Sequence, residues 1–417
     1  MTGWTSGRSR SSEAGDLVTG AGVVIVGASL AGAHAALELR RLGHDGPVTL
    51  VGAEPHLPYE RPELSKGYLG GSVGLDALLV APEATYAEAG IDLRLGVRAS
   101  GVDPASRRVQ LADGEALAYD SLVVATGSAN IRPRIDGMDL PGVYQLRTLD
   151  DAQRLAAAAR SGGRAVVVGT GLVGCEVAAT LTALGLSVTA VDALPGPLWA
   201  QLGAELSGVV LGWHEQHGVT FFGGAGVTAI EGSERAERVR LADGQVLEAD
   251  LVVVGVGARP MLDWLAGVPV ALAAGGLAVD AALRTNLPGI YAAGDVAAVW
   301  DAEMPGHRRT EHYMSAMEQG QRVAHVIAGA DPPATQPEWF WSHQYGHHLQ
   351  YAGRHQPTDE LVLRPAPFAA FFLRDSVVRA VATVDNGRDL RRALRLLGRT
   401  VDRALLVDPA VDLRTVA

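Results

Sequence analysis

The chain has 417 residues, of which 48% are hydrophobic and 19% charged, and its formal net charge is −11 at pH 7. A chain of this length can fold into two or three domains, and its negative charge disfavours nucleic acid as a ligand. Apolar runs such as VVIVGA are far shorter than the roughly 20 residues that cross a bilayer. Residues 1–20 are rich in Ser, Gly and Thr, so we expect a disordered leader on a cytoplasmic protein.

Residues 23–54 and 165–193 share one pattern: a buried strand, a Gly-rich turn, a helix and a second strand that ends in an acid. This pattern is typical of a βαβ unit that binds a dinucleotide, with the pyrophosphate against the helix N-terminus. One such turn could serve packing alone, but two indicate two bound dinucleotides. The small residues that form the turns are Gly27, Ser29 and Gly32 in the first unit and Gly169, Gly171 and Gly174 in the second.

The acids that end the two units are Glu54 and Asp192, and either could accept hydrogen bonds from a ribose. A carboxylate at Asp192 would repel a 2′-phosphate, and the next three residues supply no arginine to bind one. The sequence therefore favours NADH over NADPH at the second site. Cys175 is the single cysteine, so any redox chemistry must belong to a bound cofactor.

Six further motifs surround these two units in order. They are PHLPYERPELSK (55–66), YDSLVVATGS (119–128), LRTLDDA (146–152), TNLPGIYAAGDVAAV (285–299), EHYMSAMEQGQRVA (311–324) and WFWSHQYGHHLQYAG (339–353). On these motifs the chain, over nearly its whole length, resembles the FAD-dependent, NADH-using ferredoxin reductases of the putidaredoxin reductase type, which serve bacterial P450s and Rieske-type oxygenases.

The resemblance implies an α/β fold with two Rossmann-like dinucleotide-binding domains, one for FAD and an inserted one for NAD, and a C-terminal α+β domain. We assign residues 1–20 to the leader, 21–147 and 260–332 to the FAD domain, 148–259 to the NAD domain and 333–417 to the last domain. The resemblance further implies that hydride passes from NADH to FAD. Electrons then leave one at a time to a small iron–sulfur ferredoxin that feeds a P450 or Rieske-type oxygenase.

Three residues are implied to be catalytic, namely Lys66, Glu176 and Trp341. Lys66 is the only lysine in the chain, and the resemblance places it beside flavin N5, where a compact ammonium stabilises negative charge and can pair with Glu176. Lys66 could also be a chance survivor among arginines, and Glu176 could simply complement a helix dipole. Trp341 is expected to pack beside the flavin, or else to be a core aromatic residue.

The resemblance also implies cofactor contacts elsewhere. Glu54 would bind the adenine ribose of FAD, Arg61 the phosphates or the adenine end, and Asp295 the ribitol chain. Tyr313 stands where the family has an apolar residue or Trp near the flavin, which is a departure from its pattern. Beyond the Gly-rich turns, the remaining expected contacts are Ala31, Ala99, Ala125, Thr126, Gly127, Arg147, Gly257 and Gly294.

The last domain differs from the rest of the chain in charge. Residues 335–417 contain 11 Arg and 9 acidic residues, whereas the chain as a whole is strongly negative. Segment 389–401 is predicted to be an Arg-rich helix, whose positive charge would attract an acidic ferredoxin. The alternative is that these arginines only form a solvated helix face. The candidate docking residues on it are Arg391, Arg392 and Arg395.

Three histidines, His343, His347 and His348, cluster nearby, but their irregular spacing and the lack of a neighbouring Cys or carboxylate argue against a metal site.

Other functions of the same fold stay open to different degrees. Disulfide and peroxide reductases place redox cysteines beside the flavin, and Cys175 falls instead on the NAD-side helix. An NADH oxidase or a rubredoxin reductase would need no additional side chain that we can identify, so the sequence does not exclude either function. A non-catalytic flavoprotein that responds to NADH is the third alternative.

Overall fold

The computed structural model describes residues 22–302, 305–365 and 368–416. The predicted leader, residues 1–20, lies outside these ranges. Within them, no helix combines the length and the apolar character that crossing a membrane requires.

The first nucleotide-binding unit is built on a five-stranded parallel sheet. Its central strands are rich in Val, Ile and Leu, and nearly all of their residues are buried because both faces of the sheet are covered. In spatial order they are Ile290–Ala292, Ser121–Val124, Val23–Val26, Val48–Gly52 and Ile91–Leu95. The α-helices of this unit are Leu30–Arg41, Glu83–Glu88 and Tyr313–Ile327. One edge strand and one helix thus follow residue 285, which means that the chain returns to complete the unit after an insertion.

Smaller elements complete this unit. One antiparallel sheet contains Ala99–Asp103, Arg108–Leu111 and Ala116–Ala118. A four-stranded sheet contains Leu272–Ala273, Gly276–Val279, Ala297–Asp301 and Gly306–Arg308. Short 3₁₀ helices occupy Pro62–Ser65, Leu75–Leu78 and Asp263–Leu265.

The second unit repeats the first. Its parallel sheet has the spatial order Thr220–Gly223, Ser187–Asp192, Arg164–Val168, Leu251–Val254 and Val143–Tyr144. Its α-helices are Leu149–Ala159, Leu172–Ala183 and Trp199–Gln216, and a small antiparallel sheet contains Val227–Glu231, Arg238–Leu241 and Val246–Glu248.

The chain enters and leaves this unit side by side, because Ser128–Asn130 pairs antiparallel with Ala258–Pro260. The predicted fold class, with one nucleotide domain inserted into another, is therefore confirmed. The domain boundaries remain predictions; strand Val143–Tyr144 of the second sheet lies before the predicted boundary at residue 148.

The C-terminal domain is a five-stranded antiparallel sheet with short helices. The strands are, in spatial order, Trp339–Gln344, His347–Gly353, Val377–Val384, Ala369–Arg374 and Glu360–Arg364. The α-helices are Gly387–Ala393 and Arg403–Val407, and the 3₁₀ helices are Leu394–Leu396 and Leu413–Thr415.

The predicted Arg-rich helix over 389–401 is wrong in its extent. Its α-helix ends at Ala393 and one 3₁₀ turn follows. Gly398 then adopts a φ of 78°, and the Val401 N–H donates to Ser376 O at 2.9 Å. The segment after the helix therefore hydrogen-bonds to a neighbouring hairpin, and this tertiary contact overrides the local helical pattern.

Two helices of the first unit pack closely over the carboxyl end of its sheet. A Cβ atom at Gly320, on helix Tyr313–Ile327, would lie 2.3 Å from the carbonyl oxygen of Ala31 on helix Leu30–Arg41. Only glycine permits this approach, because backbone atoms cannot move aside as a flexible side chain could. The contact fixes Ala31, an expected FAD-contacting residue, against the second helix.

We expect Gly320→Ala to lower the free energy of unfolding by roughly 1–3 kcal/mol, since the added methyl group would force the two helices apart. Gly208→Ala is a matched control in helix Trp199–Gln216, where nothing lies within 4 Å of an added Cβ, and it should stabilise the protein by up to about 1 kcal/mol. Urea denaturation of both variants with FAD present measures the difference. Equal stability of Gly320→Ala and wild type would contradict the tight crossing.

Candidate functional site

The first Gly-rich turn has the shape that a pyrophosphate requires. Gly27 adopts a φ of 124°, and a Cβ there would lie 2.0 Å from Ala125 O. At Gly32 an added Cβ would lie 1.9 Å from Gly27 O, so the helix packs directly on the turn. Ser29 is the N-cap residue of the helix, but its hydroxyl does not cap it. The first helical turn can therefore present its N–H groups to a phosphate.

The second turn repeats this geometry. Gly169 has a φ of 91°, and a Cβ at Gly174 would lie 1.9 Å from Gly169 O. At Gly171, by contrast, nothing lies within 4 Å of an added Cβ. The middle glycine thus faces open space at a helix N-terminus, which is the cradle that a dinucleotide pyrophosphate occupies.

Apolar side chains stay exposed around this second cradle. Val173, Leu194 and Val256 are 44%, 43% and 37% exposed, respectively. Each follows the carboxyl end of one of three adjacent strands of the second sheet. A nucleotide bound across this edge would cover them, so the residues present fit a dinucleotide here.

Asp192 orders the second turn. Its Oδ2 atom accepts hydrogen bonds from Thr170 N at 2.5 Å and Thr170 Oγ1 at 2.7 Å, and its Oδ1 accepts from Leu194 N at 2.8 Å. A carboxylate offers about four lone-pair sites, so it can still accept a ribose hydroxyl. Its role in choosing between NAD and NADP stays a prediction.

Glu54 lies in a compact polar cluster. Its carboxylate accepts hydrogen bonds from Tyr59 Oη at 2.5 Å and Arg61 Nη2 at 2.7 Å. Arg61 also donates to Arg147 O at 2.6 Å, and the Tyr59 hydroxyl accepts from Leu149 N at 2.9 Å. The structure thus ties Arg61 to Glu54 and to the entry of the second domain. Sequence reasoning missed Tyr59, although it lies inside the quoted 55–66 motif.

Asp295 lies beside Arg147, another expected FAD residue. Its Oδ2 accepts from Arg147 Nη2 at 2.9 Å and from Ser128 Oγ at 3.0 Å. The Gly294 N–H donates to Gln319 Oε1 at 2.8 Å, which fixes the turn before Asp295. This group marks the carboxyl edge of the first sheet.

The other expected FAD residues lie in the same unit. Ala125, Thr126 and Gly127 follow strand Ser121–Val124, and Ala99 begins strand Ala99–Asp103. Thr126 Oγ1 donates to Met261 O at 2.8 Å, which joins this turn to the segment that returns from the insertion.

Lys66 and Glu176 form a buried ion pair. Lys66 Nζ lies 2.8 Å from Glu176 Oε2, and their side chains are 10% and 5% exposed. Ser65 Oγ donates to the same carboxylate oxygen at 2.5 Å, and Ser342 Oγ donates to Oε1 at 2.8 Å. The structure therefore makes the contact that was expected between the two residues, and it adds two serines that the sequence reasoning had not singled out.

Trp341 and Tyr313 share an aromatic cluster. Their ring centroids lie 5.4 Å apart at 74°, and Trp339 lies 5.2 Å from Trp341. The Tyr313 hydroxyl donates to Glu60 Oε1 at 2.6 Å, and burial raises the pKa of this phenol well above its usual value. The departure at Tyr313 thus adds a hydrogen bond that an apolar residue could not make.

Gly257 lines a cavity of about 620 Å³ at the meeting of the three domains, together with segment 307–312, Glu338 and Arg354. Gly255, two residues before Gly257, lies directly against the second Gly-rich turn, because a Cβ at Gly169 would be 2.3 Å from Gly255 O.

The histidine cluster and the cysteine have structural partners. His347 Nδ1 lies 2.8 Å from Asp385 Oδ2, and the His343 and His348 rings are 4.1 Å apart. Within residues 22–302, 305–365 and 368–416, no group of three His, Cys, Asp or Glu is arranged to hold a metal ion. Burial raises the pKa of the Cys175 thiol, and its Sγ donates to Thr170 O at 3.1 Å, so it is unsuited to act as a nucleophile.

Comparisons with known proteins agree with this geometry. The family model described as "Pyridine nucleotide-disulphide oxidoreductase" matches residues 21–320, and that described as "Reductase C-terminal" matches residues 339–417. The chain is 37% identical to the ferredoxin reductase component of chlorobenzene dioxygenase from Cupriavidus sp. (strain PS12), over 93% of this chain and 94% of that protein. It is 36% identical to rhodocoxin reductase from Rhodococcus erythropolis, over 90% of this chain and 89% of that protein.

Solved structures give the same result. A covalent complex of putidaredoxin reductase with putidaredoxin matches with a TM-score of 0.91 and 31% identity, over 94% of this chain and 97% of the other. The ferredoxin reductase for the CYP199A2 system from Rhodopseudomonas palustris matches with a TM-score of 0.90 and 32% identity, over 94% and 98% of the two chains.

We expect Asp192→Asn to narrow the preference for NAD⁺ over NADP⁺ by about tenfold, because the amide cannot repel a 2′-phosphate. The amide oxygen can still accept from Thr170, but the amide nitrogen cannot accept from Leu194 N–H. Binding of NAD⁺ should therefore weaken as well, and the ratio of the two dissociation constants reports the change in preference. Titration calorimetry with each nucleotide measures both dissociation constants. Asp113→Asn, at an exposed turn of the other domain, is the control for the same change in net charge; an equal effect there would refute a local role for Asp192.

Proposed function

Because the chain belongs to the pyridine nucleotide-disulphide oxidoreductase family, we propose that it is an NADH-dependent flavoprotein reductase that delivers electrons to a small iron–sulfur ferredoxin. The ferredoxin would in turn feed a P450 or a Rieske-type oxygenase, since one relative is named as the ferredoxin reductase component of a dioxygenase and another as the ferredoxin reductase for the CYP199A2 system. The location proposed for it is the cytoplasm, in keeping with a single cysteine, Cys175, and hence no intrachain disulfide.

The Lys66–Glu176 pair is the observation that carries this proposal. Glu176 lies on the helix that begins at the second nucleotide cradle, whereas Lys66 ends the loop that follows the first. Thr180 Oγ1 of the same helix donates to Ser65 O at 2.8 Å, which is a second tie between the two units. The two nucleotide sites are thereby held next to each other, as transfer between two cofactors requires.

The residues of the chain would bind and orient the two cofactors and tune the charge around them. Bound FAD supplies the acceptance of hydride from NADH and the release of single electrons. Lys66 would place a compact positive charge where negative charge develops. Glu176 lies 2.8 Å from that ammonium, so neither charge is buried without a partner.

The ends of FAD would be held by two further groups. Glu54 and Arg61 suit the adenine half, where the carboxylate can accept a ribose hydroxyl and the guanidinium can face a phosphate. Asp295, fixed by Arg147 at 2.9 Å, suits the ribitol hydroxyls as a hydrogen-bond acceptor. Trp341 would cover the flavin from the side of the C-terminal domain.

Disulfide chemistry is excluded as an alternative because Cys175 is the only cysteine and is fully buried. No specific contact in the structure favours an NADH oxidase, a rubredoxin reductase or a non-catalytic flavoprotein. These three functions are outcomes of the experiment that follows.

Purified protein is mixed with NADH and with a panel of [2Fe–2S] ferredoxins, [3Fe–4S] ferredoxins and rubredoxins. The proposed function requires that NADH bleach the flavin and that a ferredoxin be reduced faster than oxygen or rubredoxin. A flavin that NADH cannot bleach would exclude every reductase. Preferential consumption of oxygen would identify an oxidase, and preferential reduction of rubredoxin a rubredoxin reductase.

Lys66→Arg should slow the bleaching of the flavin by NADH about 10-fold, equivalent to roughly one kcal/mol, or weaken the retention of FAD. The reason is that a planar guanidinium cannot replace a compact ammonium at a buried site. Stopped-flow absorbance and flavin content measure the two effects. Arg154→Lys, at an ion pair whose arginine is 61% exposed, is the control and should change neither the bleaching rate nor the flavin content. If Lys66→Arg also leaves both quantities unchanged, Lys66 has no role in flavin binding or hydride transfer.

The three candidate docking arginines differ in their exposure and in their contacts. Arg392 Nη1 donates to Asp389 Oδ1 at 3.0 Å, so it is held within its domain, whereas Arg391 and Arg395 are exposed. We expect Arg391→Gln with Arg395→Gln to raise the KM for ferredoxin several-fold and to weaken its dependence on salt, because long-range attraction steers the encounter.

The control for this pair is Arg108→Gln with Arg160→Gln, two exposed arginines of the FAD and NAD domains. Both double variants change net charge equally. If the two variants respond alike, or if neither responds, ferredoxin docks elsewhere.

A further inference from the structure

The second Gly-rich turn is supported by the segment that begins helix Trp199–Gln216. The Leu198 N–H donates to the carbonyl oxygen of Thr170, within that turn, at 2.9 Å. The Cys175 thiol donates to the same oxygen at 3.1 Å. Thr170 and Leu198 are 2% and 1% exposed, so bulk water does not compete for this carbonyl group.

These two hydrogen bonds set the direction of the peptide between Thr170 and Gly171. In a trans peptide the C=O and N–H bonds point in opposite directions. Because the oxygen points toward Leu198 and Cys175, the Gly171 N–H points away from both. This N–H donates to no backbone carbonyl group in the described part of the chain, and a Cβ at Gly171 would meet nothing within 4 Å. It is therefore free to donate to a phosphate on the open side of the turn.

The first Gly-rich turn lacks this support. Ala28 stands where the second turn has Thr170, and its carbonyl oxygen accepts no hydrogen bond from any backbone N–H of the described residues. Ala33 takes the place of Cys175, so the thiol donor is missing as well. Support from outside the βαβ unit thus distinguishes the second cradle from the first.

The segment that supplies the Leu198 N–H has an unusual backbone. Leu198 has a φ of 53° and a ψ of 23°, a left-handed conformation that is unfavourable for a bulky residue. The helix is then interrupted at Gly203, whose φ of 76° and ψ of −180° are essentially restricted to glycine. A single turn, residues 199–202, lies between these two positions. Such strain persists only where the surrounding structure holds it.

Ser207 holds this segment from the far side of the interruption. Its hydroxyl donates to Pro197 O at 2.6 Å, and the residue is 1% exposed. A Cβ at Gly196 would lie 2.3 Å from Ser207 Oγ, so the segment packs closely on the helix. At the other end, Leu194 O accepts from Gly224 N at 2.9 Å. The segment is therefore fixed on both sides of Leu198.

We propose that Leu198, Gly203 and Ser207 are positioning residues that preorganise the second cradle for NAD. We call residues 194–203 the buttress segment. It directs the Gly171 N–H toward the pyrophosphate site before the nucleotide arrives. A nucleotide that binds and leaves in every turnover gains most from such a site, since the cost of ordering would otherwise recur at each binding. The proposal rests on the proposed function only in taking NAD as the second nucleotide.

Gly203→Ala disturbs the buttress segment without a steric clash. The nearest heavy atom to the added Cβ would be His355 Nε2, at 4.0 Å, so the penalty comes from a backbone conformation that alanine disfavours. We expect the dissociation constant of NAD⁺ to rise about 10-fold. Titration calorimetry on the full-length protein loaded with FAD measures it. Gly212→Ala is the matched control in the same helix, where an added Cβ meets nothing within 4 Å, and it should leave the constant unchanged.

Ser207→Ala tests the buttress segment without altering the backbone of Gly203. Loss of one buried hydrogen bond should raise the dissociation constant of NAD⁺ about 3- to 10-fold. Thr182→Val is its control, because the Thr182 hydroxyl donates to Ala178 O within helix Leu172–Ala183 and does not contact the segment.

Two further measurements separate positioning from a general loss of structure. FAD content should match that of the wild type, because the buttress segment does not support the first turn. ADP-ribose has the pyrophosphate but no nicotinamide, and its binding should weaken by the same factor as that of NAD⁺. In a reductase, KM for NADH should rise while flavin bleaching at saturating NADH keeps its rate.

The proposal is refuted if Gly203→Ala and Ser207→Ala bind NAD⁺ as the wild type does, or if Gly212→Ala weakens binding equally. A loss limited to NAD⁺, with ADP-ribose unaffected, would place the effect at the nicotinamide and refute it as well. If Gly203→Ala does not fold, Ser207→Ala decides. A wild-type protein that binds no NAD⁺ would overturn both proposals, whereas one that binds NAD⁺ and reduces no ferredoxin would overturn the proposed function alone.

Discussion

A buried ion pair is the constraint on which the rest of this structure depends. Lys66 and Glu176 are almost fully removed from water, and the cost of desolvating two charges is offset only if the remaining lone pairs are satisfied. Ser65 donates to one carboxylate oxygen of Glu176 and Ser342 donates to the other. The pair therefore requires the loop that ends at Lys66, helix Leu172–Ala183 and the C-terminal sheet to be docked together.

The chain uses its two kinds of cation differently. Arginines at partly exposed positions, such as Arg61 and Arg147, join a carboxylate to backbone oxygens through several donors of the planar guanidinium. Lys66 instead meets one carboxylate oxygen that also receives a serine proton. A compact ammonium fits this point contact, which is a physical reason for one lysine in a chain otherwise supplied with arginine.

Local sequence was sufficient for the nucleotide folds, because strand, turn and helix follow one another within about 30 residues of a βαβ unit. The contact between Lys66 and Glu176 was also expected, but only through the family resemblance. Ser342 could not be found this way, since it contacts Glu176 although the two residues lie 166 positions apart in the sequence. The predicted extent of the helix over 389–401 was wrong for the same reason, because the hydrogen bond from Val401 N–H to Ser376 O is a tertiary contact.

One strand connects the two sides of the candidate site. Along Trp339–Gln344, successive side chains point to opposite faces, and its burial alternates accordingly. Trp341 contacts Tyr313 and Trp339 on the half-buried face, whereas Ser342 contacts Glu176 on the buried face. A displacement of this strand would therefore disturb the aromatic cluster and the ion pair together. The aromatic cluster, where Trp341 is proposed to cover the flavin, is thereby linked to the charge beside which hydride transfer is proposed.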